Sequence, residues 1–376
     1  MRLVICLVAF MLAGPAPAKA EDRLLKEAVE FHGAVLFHAL KVPGLVIGVT
    51  RNGNAAVAGF GAVKDGANRA PDGDTLLRIG SITKVFTGQM LASLVADGKV
   101  KLTDRLDQRL KWRTTIPSRD GRPIRLIELA THTSGLPREV EREPGPENDP
   151  FRTITKKAFV RSLAGDSLLF APGAGALYSN FAFDLLAAAL ADAAGQPYET
   201  LLRRRVLEPA GLTATGFTPD AAQRRNLLQG HGFGGEPLPD VPTAPITQGS
   251  GGLYSSANDI LRWLDWHLDR FEPKGAEVRL IDHAAYVSRD GLSPVLGLDE
   301  SGHMDAMGLG WIIMRAEGDR PLVLQKAGGL QGVFAYAAFA PTRGVGAFIA
   351  INQFDFSAAE AMAKAVNDLI SDLAPR

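Results

Sequence analysis

The chain is nearly without thiols: Cys6 is the only cysteine in 376 residues, and it lies in an apolar N-terminal stretch. A disulfide framework or a thiolate metal site is therefore excluded. Net charge is lacking as well. The 41 Lys and Arg offset 41 Asp and Glu, leaving no electrostatic footprint for nucleic acid or an anionic membrane surface. Beyond the N-terminus, no stretch approaches the ~18 consecutive apolar residues of a membrane-spanning helix. The seven histidines, at 32, 38, 132, 231, 267, 283 and 303, show neither H-E-x-x-H nor Cys/His spacing, so neither metal nor cofactor is expected. The absence of a G-x-S-x-G elbow argues against an α/β-hydrolase. At 46% hydrophobic and 22% charged, what remains is the composition of an ordinary globular protein, with one large domain or two closely packed ones.

The N-terminus departs from this plain background. Arg2 precedes the apolar run Leu3 to Leu12, and Ala18-Lys19-Ala20 follows a Gly/Pro/Ala segment. A positive start, a short apolar core and a small-x-small site read as a signal peptide over residues 1–20, cleaved after Ala20. The mature protein is then expected in the periplasm, or secreted, without a transmembrane anchor. Losing Arg2 and Lys19 takes the basic count from 41 to 39 against 41 acidic residues, a net charge near −2.

A first helix is expected over Leu24 to Leu40, followed by a hairpin with strands Gly44–Arg51 and Ala55–Val63 around Asn52-Gly53. Apolar residues at 85, 86, 90, 91 and 94 place a helix over Ser81 to Leu94, with Ser81 at its start. Helices are also expected at Ile124–Thr131, Phe159–Leu163, Asn180–Ala194 and Asp259–Leu268. Strands resume at Leu309–Met314, Leu322–Lys326, Val333–Ala340 and Val345–Asn352, and a helix over Ala358–Leu373 closes the chain. The fold class is therefore α/β (α+β): an antiparallel sheet flanked by helices. Residues 21–94 and 250–376 hold the sheet, and 95–249 form a mostly helical part.

Three separated fragments carry the chemistry. Ser81 and Lys84 stand three apart on a helix, so they share a face. A serine needs a neighbour to take its proton, and a lysine does so when burial or another cation lowers its pKa. The plain alternative is a helix cap and a solvated lysine. Tyr178-Ser179-Asn180 offers a phenol and a carboxamide before a long helix, or an interface tyrosine with a capping asparagine. Lys326-Ala327-Gly328-Gly329 ends a buried strand. There the glycines allow a substrate backbone to lie close, and the Gly329 amide can serve as an oxyanion donor beside that of Ser81. The alternative is a hairpin turn at Gly328-Gly329, with Lys326 snorkelling at a sheet edge.

In this order, the fragments resemble the S-x-x-K, Y-x-N and K-T-G motifs of the serine β-lactamase and penicillin-binding-protein superfamily, class C-like branch. Supporting phrases are Ala130-Thr-His-Thr-Ser-Gly-Leu-Pro137, Tyr178-Ser-Asn-Phe-Ala-Phe-Asp184, Gly249-Ser-Gly-Gly-Leu-Tyr-Ser-Ser256 and Met307-Gly-Leu-Gly-Trp311. Within the branch they are most similar to the AmpH-type DD-carboxypeptidase/DD-endopeptidases. The resemblance implies a β-lactamase/transpeptidase-like fold, with Ser81 as nucleophile and Lys84 as its partner amine. Tyr178 becomes general base and leaving-group acid, Asn180 binds the substrate amide, and Lys326 tunes the tyrosine and helps hold a substrate carboxylate. His132 belongs to a family turn and is read as structural. The implied partners are peptidoglycan stem peptides or β-lactams. A class C-like β-lactamase, a small-substrate esterase and a non-hydrolytic penicillin-binding sensor are the rival functions. Ala327 is the departure: the usual threonine hydroxyl is missing, which is expected to weaken carboxylate recognition more than acylation.

Overall fold

The computed structural model describes residues 22–374 apart from 147 and 166. The expected signal peptide, with Cys6, lies outside the described residues. Among those that are described, no helix is long and apolar enough to cross a membrane.

Helix α1 (Arg23–Leu40) starts at an Asp22 cap and ends at Lys41 in the left-handed region. It leads into β1 (Gly44–Arg51) and β2 (Asn54–Gly61), with Arg51 opposite Asn54. Asn52 and Gly53 both have positive φ, 53° and 73°, as a two-residue hairpin loop requires. Later in the chain come the short β3 (Val287–Ser288), β4 (Ala306–Met307) and β5 (Ile312–Met314), then the long β6 (Val323–Leu330), β7 (Val333–Ala340) and β8 (Val345–Ile351). They form one antiparallel sheet ordered β2-β1-β8-β7-β6-β5-β4-β3. Every residue of β7 and β8 is buried, which marks a sheet covered on both faces.

On one face α1 packs with the last helix. Leu25, Val29 and Leu36 meet Ile47, Tyr336, Val366 and Ile370 there. On the other face lie α2 (Thr83–Ala96), α3 (Asn180–Ala194) and α4 (Ala257–Leu268). Helix α5 (Ala276–His283) follows, and α6 (Phe356–Leu373) completes the chain. Between residues 95 and 249 the chain forms short helices, such as Leu126–Ala130 and Lys156–Gly165, around α3. The stretch from Thr83 to Leu94 in α2 is buried throughout. It is therefore a central helix rather than an amphipathic surface one. Trp263 of α4 is sandwiched between Phe86 of α2 (4.2 Å, 13°) and Trp311 (5.4 Å, 17°), fixing α2 against the sheet.

Several sequence expectations shift. Strand β6 does not end at Lys326: it runs through both glycines to Leu330, and Gln331 and Gly332 (φ 50° and 79°) make the turn. The hairpin alternative at Gly328-Gly329 is thereby overturned. The strand expected from Leu309 is regular only from Ile312, because Gly308 and Gly310 form a tight turn closed on Trp311. Helix α5 was not among the expected elements, although Val278 and Ile281 pack against the core. Its buried residues are Arg279 and Asp282.

Candidate active site

Ser81 lies in a 3-10 turn, Gly80–Ile82, directly ahead of α2. The turn sits against β6 so tightly that side chains are excluded on both sides. A Cβ on Gly80 would stand 2.6 Å from the Gly329 nitrogen, and one on Gly328 would stand 2.1 Å from the Ile79 carbonyl oxygen and 2.8 Å from the Ser81 nitrogen. Gly80 also has φ +51°, a region that favours glycine. Gly328 and Gly80 therefore have a structural duty that the sequence did not reveal. They let the strand and the Ser81 turn touch, which places the backbone amides of Ser81 and Gly329 on adjoining segments.

Three residues beyond Ser81, at the second position of α2, Lys84 is fully buried. Its amine reaches the Ser81 hydroxyl (3.1 Å), the Asn180 Oδ1 (2.6 Å) and the Ser250 carbonyl (2.7 Å). Asn180 begins α3 behind the Ser179 N-cap, and its Nδ2 donates to Glu139. With one end of the amide accepting from Lys84 and the other donating to Glu139, its orientation is set. Asp184, one turn further along α3, accepts the Ser250 N–H at 2.8 Å. Burial pushes the Lys84 amine below its usual range and the Asp184 carboxyl above its own. In each case loss of solvent disfavours the charged form more than the partner restores it.

Tyr178, buried to 8% exposure, is ringed by two amines and a guanidinium. The Lys84 and Lys326 amines each lie 4.8 Å from its ring centroid, and the Arg138 guanidinium lies 4.7 Å away. Its other neighbour is His132, stacked at 4.6 Å. His132 accepts the Ser179 N–H on Nδ1 at 3.0 Å, and burial holds its pKa well below the ordinary value. Neutral and fixed, it orients the Tyr178–Asn180 segment and has no free base to offer. Lys326, on β6, is buried, and desolvation lowers it to about 8 although the Tyr178 hydroxyl opposes the shift.

Ser81 sits where two lobes of a cleft meet. The larger, roughly 300 Å³, is lined by Glu139, Phe151, Asn180 and Thr243 among others. The smaller, roughly 200 Å³, is lined by Arg138, Tyr178, Glu300, Ser301, Lys326 and Ala327. Ala327 contributes only a methyl group, which also packs against the core beneath α1 and α6. All eight residues singled out from the sequence thus come to one place. Arg138, Glu139, Asp184 and Ser250 were missed. A signal existed for Asp184, which stands four residues after Asn180 on the same face of an otherwise apolar helix. Ser250 lies within the quoted phrase Gly249–Ser256 but with no role assigned to it, and Arg138 and Glu139 occupy a loop with no pattern of their own.

A sheet covered on both faces, with a serine-lysine pair at the mouth of its central helix, defines a class of active-site serine hydrolases. The sequence model of the beta-lactamase family matches residues 22–370, and the chain belongs to that family. Its relatives are hydrolases. It is 33% identical over 373 residues to the D-alanyl-D-alanine-carboxypeptidase/endopeptidase AmpH of Escherichia coli K12, covering 98% of this chain and 95% of that protein. A beta-lactamase of Pseudomonas fluorescens is 25% identical over 351 residues, covering 88% and 94%. Among solved structures, the beta-lactamase/D-alanine carboxypeptidase of Yersinia pestis, complexed with citrate, superposes with a TM-score of 0.84 at 35% identity, covering 93% of this chain and 98% of that one.

Proposed function

We propose that the protein is a DD-carboxypeptidase/DD-endopeptidase that cleaves D-amino-acid peptide bonds of peptidoglycan stem peptides through an acyl-enzyme at Ser81. β-Lactams acylate the same serine, and the periplasm is where such a substrate is met. The observation that carries this reading is the environment of Lys84. Two of its three polar neighbours, the Asn180 Oδ1 and the Ser250 carbonyl, can only accept. As an ammonium Lys84 donates to all three; once neutral it spends its two N–H groups on the Asn180 and Ser250 acceptors and leaves its lone pair for the Ser81 hydroxyl, 3.1 Å away. Burial makes that neutral form accessible near pH 7.

The steps follow from this arrangement. Ser81 Oγ forms a bond to the substrate carbonyl carbon as its proton passes to Lys84 Nζ. The resulting oxyanion is held by the amides of Ser81 and Gly329. Tyr178, between the two lysines, relays the proton to the leaving amine as the C–N bond breaks. Asn180 binds the amide of the acyl portion, and Lys326 keeps positive charge beside the phenol. Water then releases the acid and restores Ser81. The immediate base in this account is Lys84 rather than Tyr178, because the lysine is the hydrogen-bonded neighbour of the serine.

The test is incubation of the protein with purified muropeptides and separately with a penicillin. Loss of terminal D-alanine or of crosslinked dimers, abolished in Ser81→Ala, is the expected result. Rapid penicillin turnover with intact muropeptides would instead make the protein a β-lactamase.

A further inference from the structure

Two neighbouring residues of opposite charge, Arg138 and Glu139, open into opposite lobes of the cleft on either side of Ser81. They follow the Ala130–Pro137 turn, and the Arg138 carbonyl is pinned by the Asn180 N–H at 2.9 Å. The pair is thus tied to the start of α3 rather than carried on a free loop. Arg138 enters the lobe that contains Tyr178 and Lys326. Its ion-pair partner among the described residues, Glu300, stands 3.7 Å away, and the two side chains are 50% and 65% exposed. Such a contact is loose and contributes little, so the fork of the guanidinium stays available for a planar anion. That lobe also offers the Lys326 amine, whereas Ala327 brings no donor to it. Glu139 enters the other lobe, where its carboxylate accepts from Asn180 Nδ2. That hydrogen bond leaves it further acceptor capacity.

We propose that Arg138 and Glu139 sort charge across the scissile bond: Arg138 holds a carboxylate on the leaving side, and Glu139 holds an ammonium on the acyl side. The assignment of sides rests on the Ser81 reading above, in which Tyr178 protonates the leaving group and Asn180 binds the acyl portion. The preferred substrate is therefore a peptide with an amine-bearing side chain before the cleaved bond and a free carboxylate after it. Arg138 takes over, from a different segment, the donor that Ala327 lacks.

Four aryl esters test this. They share one skeleton, with the leaving phenol carrying a meta-carboxylate or a carboxamide and the acyl group carrying a free amine or its acetamide. Arg138→Gln should lower kcat/KM roughly tenfold for the carboxylate phenols, mainly through KM, relative to the carboxamides. Roughly tenfold is the low end for a charge-assisted hydrogen bond, as suits groups this exposed. Glu139→Gln, which keeps an acceptor for Asn180, should give a similar loss for free amines relative to acetamides. Ala327→Thr in the Arg138→Gln background should restore part of the carboxylate preference. Equal losses on charged and neutral esters, or losses with the sides exchanged, overturn the charge sorting while leaving the nucleophile intact. Turnover of all four esters by Ser81→Ala overturns the nucleophile and the charge sorting together.

Discussion

Two clusters of buried titratable groups flank α2, and one of them lines the cleft at Ser81. At the mouth of the helix, Lys84 and Lys326 flank Tyr178 beside a cleft, with Asp184 in the electrostatic reach of Lys84. Behind it, His267, Asp282 and His283 bring their donor atoms within 4.8 Å of one another under Trp311 and Phe339. Burial acts on both in the same direction, against charge. Lys326 falls to about 8, Asp282 rises to about 8, and His283 falls to about 4. Perturbed pKa values therefore do not distinguish a reactive site from a packing cluster in this protein. The distinction lies in what the groups touch. Lys84 is hydrogen-bonded to a serine facing a cleft, whereas the histidines touch each other at 2.8 Å and Asp282 accepts from Trp311 at 2.9 Å. The donor set of two histidines and a carboxylate could suit a transition metal. However, His267 Nε2 has no partner to anchor a ligating tautomer, and the short histidine contact already is a hydrogen bond. We read this cluster as a network of neutral groups that packs α4 and α5.

Substitutions that break one cluster and spare the other sharpen the contrast. The largest effect is expected from Lys84→Met, which removes the amine but keeps the buried stem. Acylation of Ser81 by a penicillin, followed by intact mass, should slow by about 10²–10⁴-fold, the range of a lost general base, while the fold survives. Acylation within a few-fold of wild type would remove Lys84 from the mechanism.

Asp282→Asn should leave penicillin acylation at pH 7 unchanged and alter only stability. A carboxyl raised from 3.8 to about 8 contributes stability that is fully present below 3.8 and is lost as pH rises through 8. The neutral amide avoids that loss and can still accept from Trp311. The melting temperature of the variant should therefore gain on wild type by several degrees between pH 5 and pH 9. A constant difference across that range would mean that Asp282 is not held protonated in the fold.

How far the sequence alone leads can be judged element by element. The bounds of helix α3 were legible, but its cap was not: Ser179 rather than Asn180 caps the start, and Gly195 takes the left-handed region at its close. The β1–β2 turn was legible because Asn-Gly tolerates positive φ at both positions. Ser81, Lys84, Tyr178, Asn180 and Lys326 were legible as a set through their order along the chain. The length of β6 was not, since Gly328 is required by a contact with the Ser81 turn rather than by local conformation. Arg138 and Glu139 gain meaning only once the loop that carries them is pinned to α3, a tertiary fact. Helix α5 was missed although Val278 and Ile281 stand three apart and pack against the core; its fully buried groups are an arginine and an aspartate, which apolar periodicity does not register.

The central claim is that Ser81 is activated by a buried amine that is neutral near pH 7. The most direct measurement is the pH dependence of the second-order rate of Ser81 acylation by a penicillin, with the adduct mapped to the peptide carrying that residue. The account predicts a rate that climbs as pH rises through about 7, where the Lys84 amine loses its proton, and declines above about 8, where Lys326 loses its charge. A flat profile between pH 6 and pH 9, or an adduct on any other residue, would contradict it.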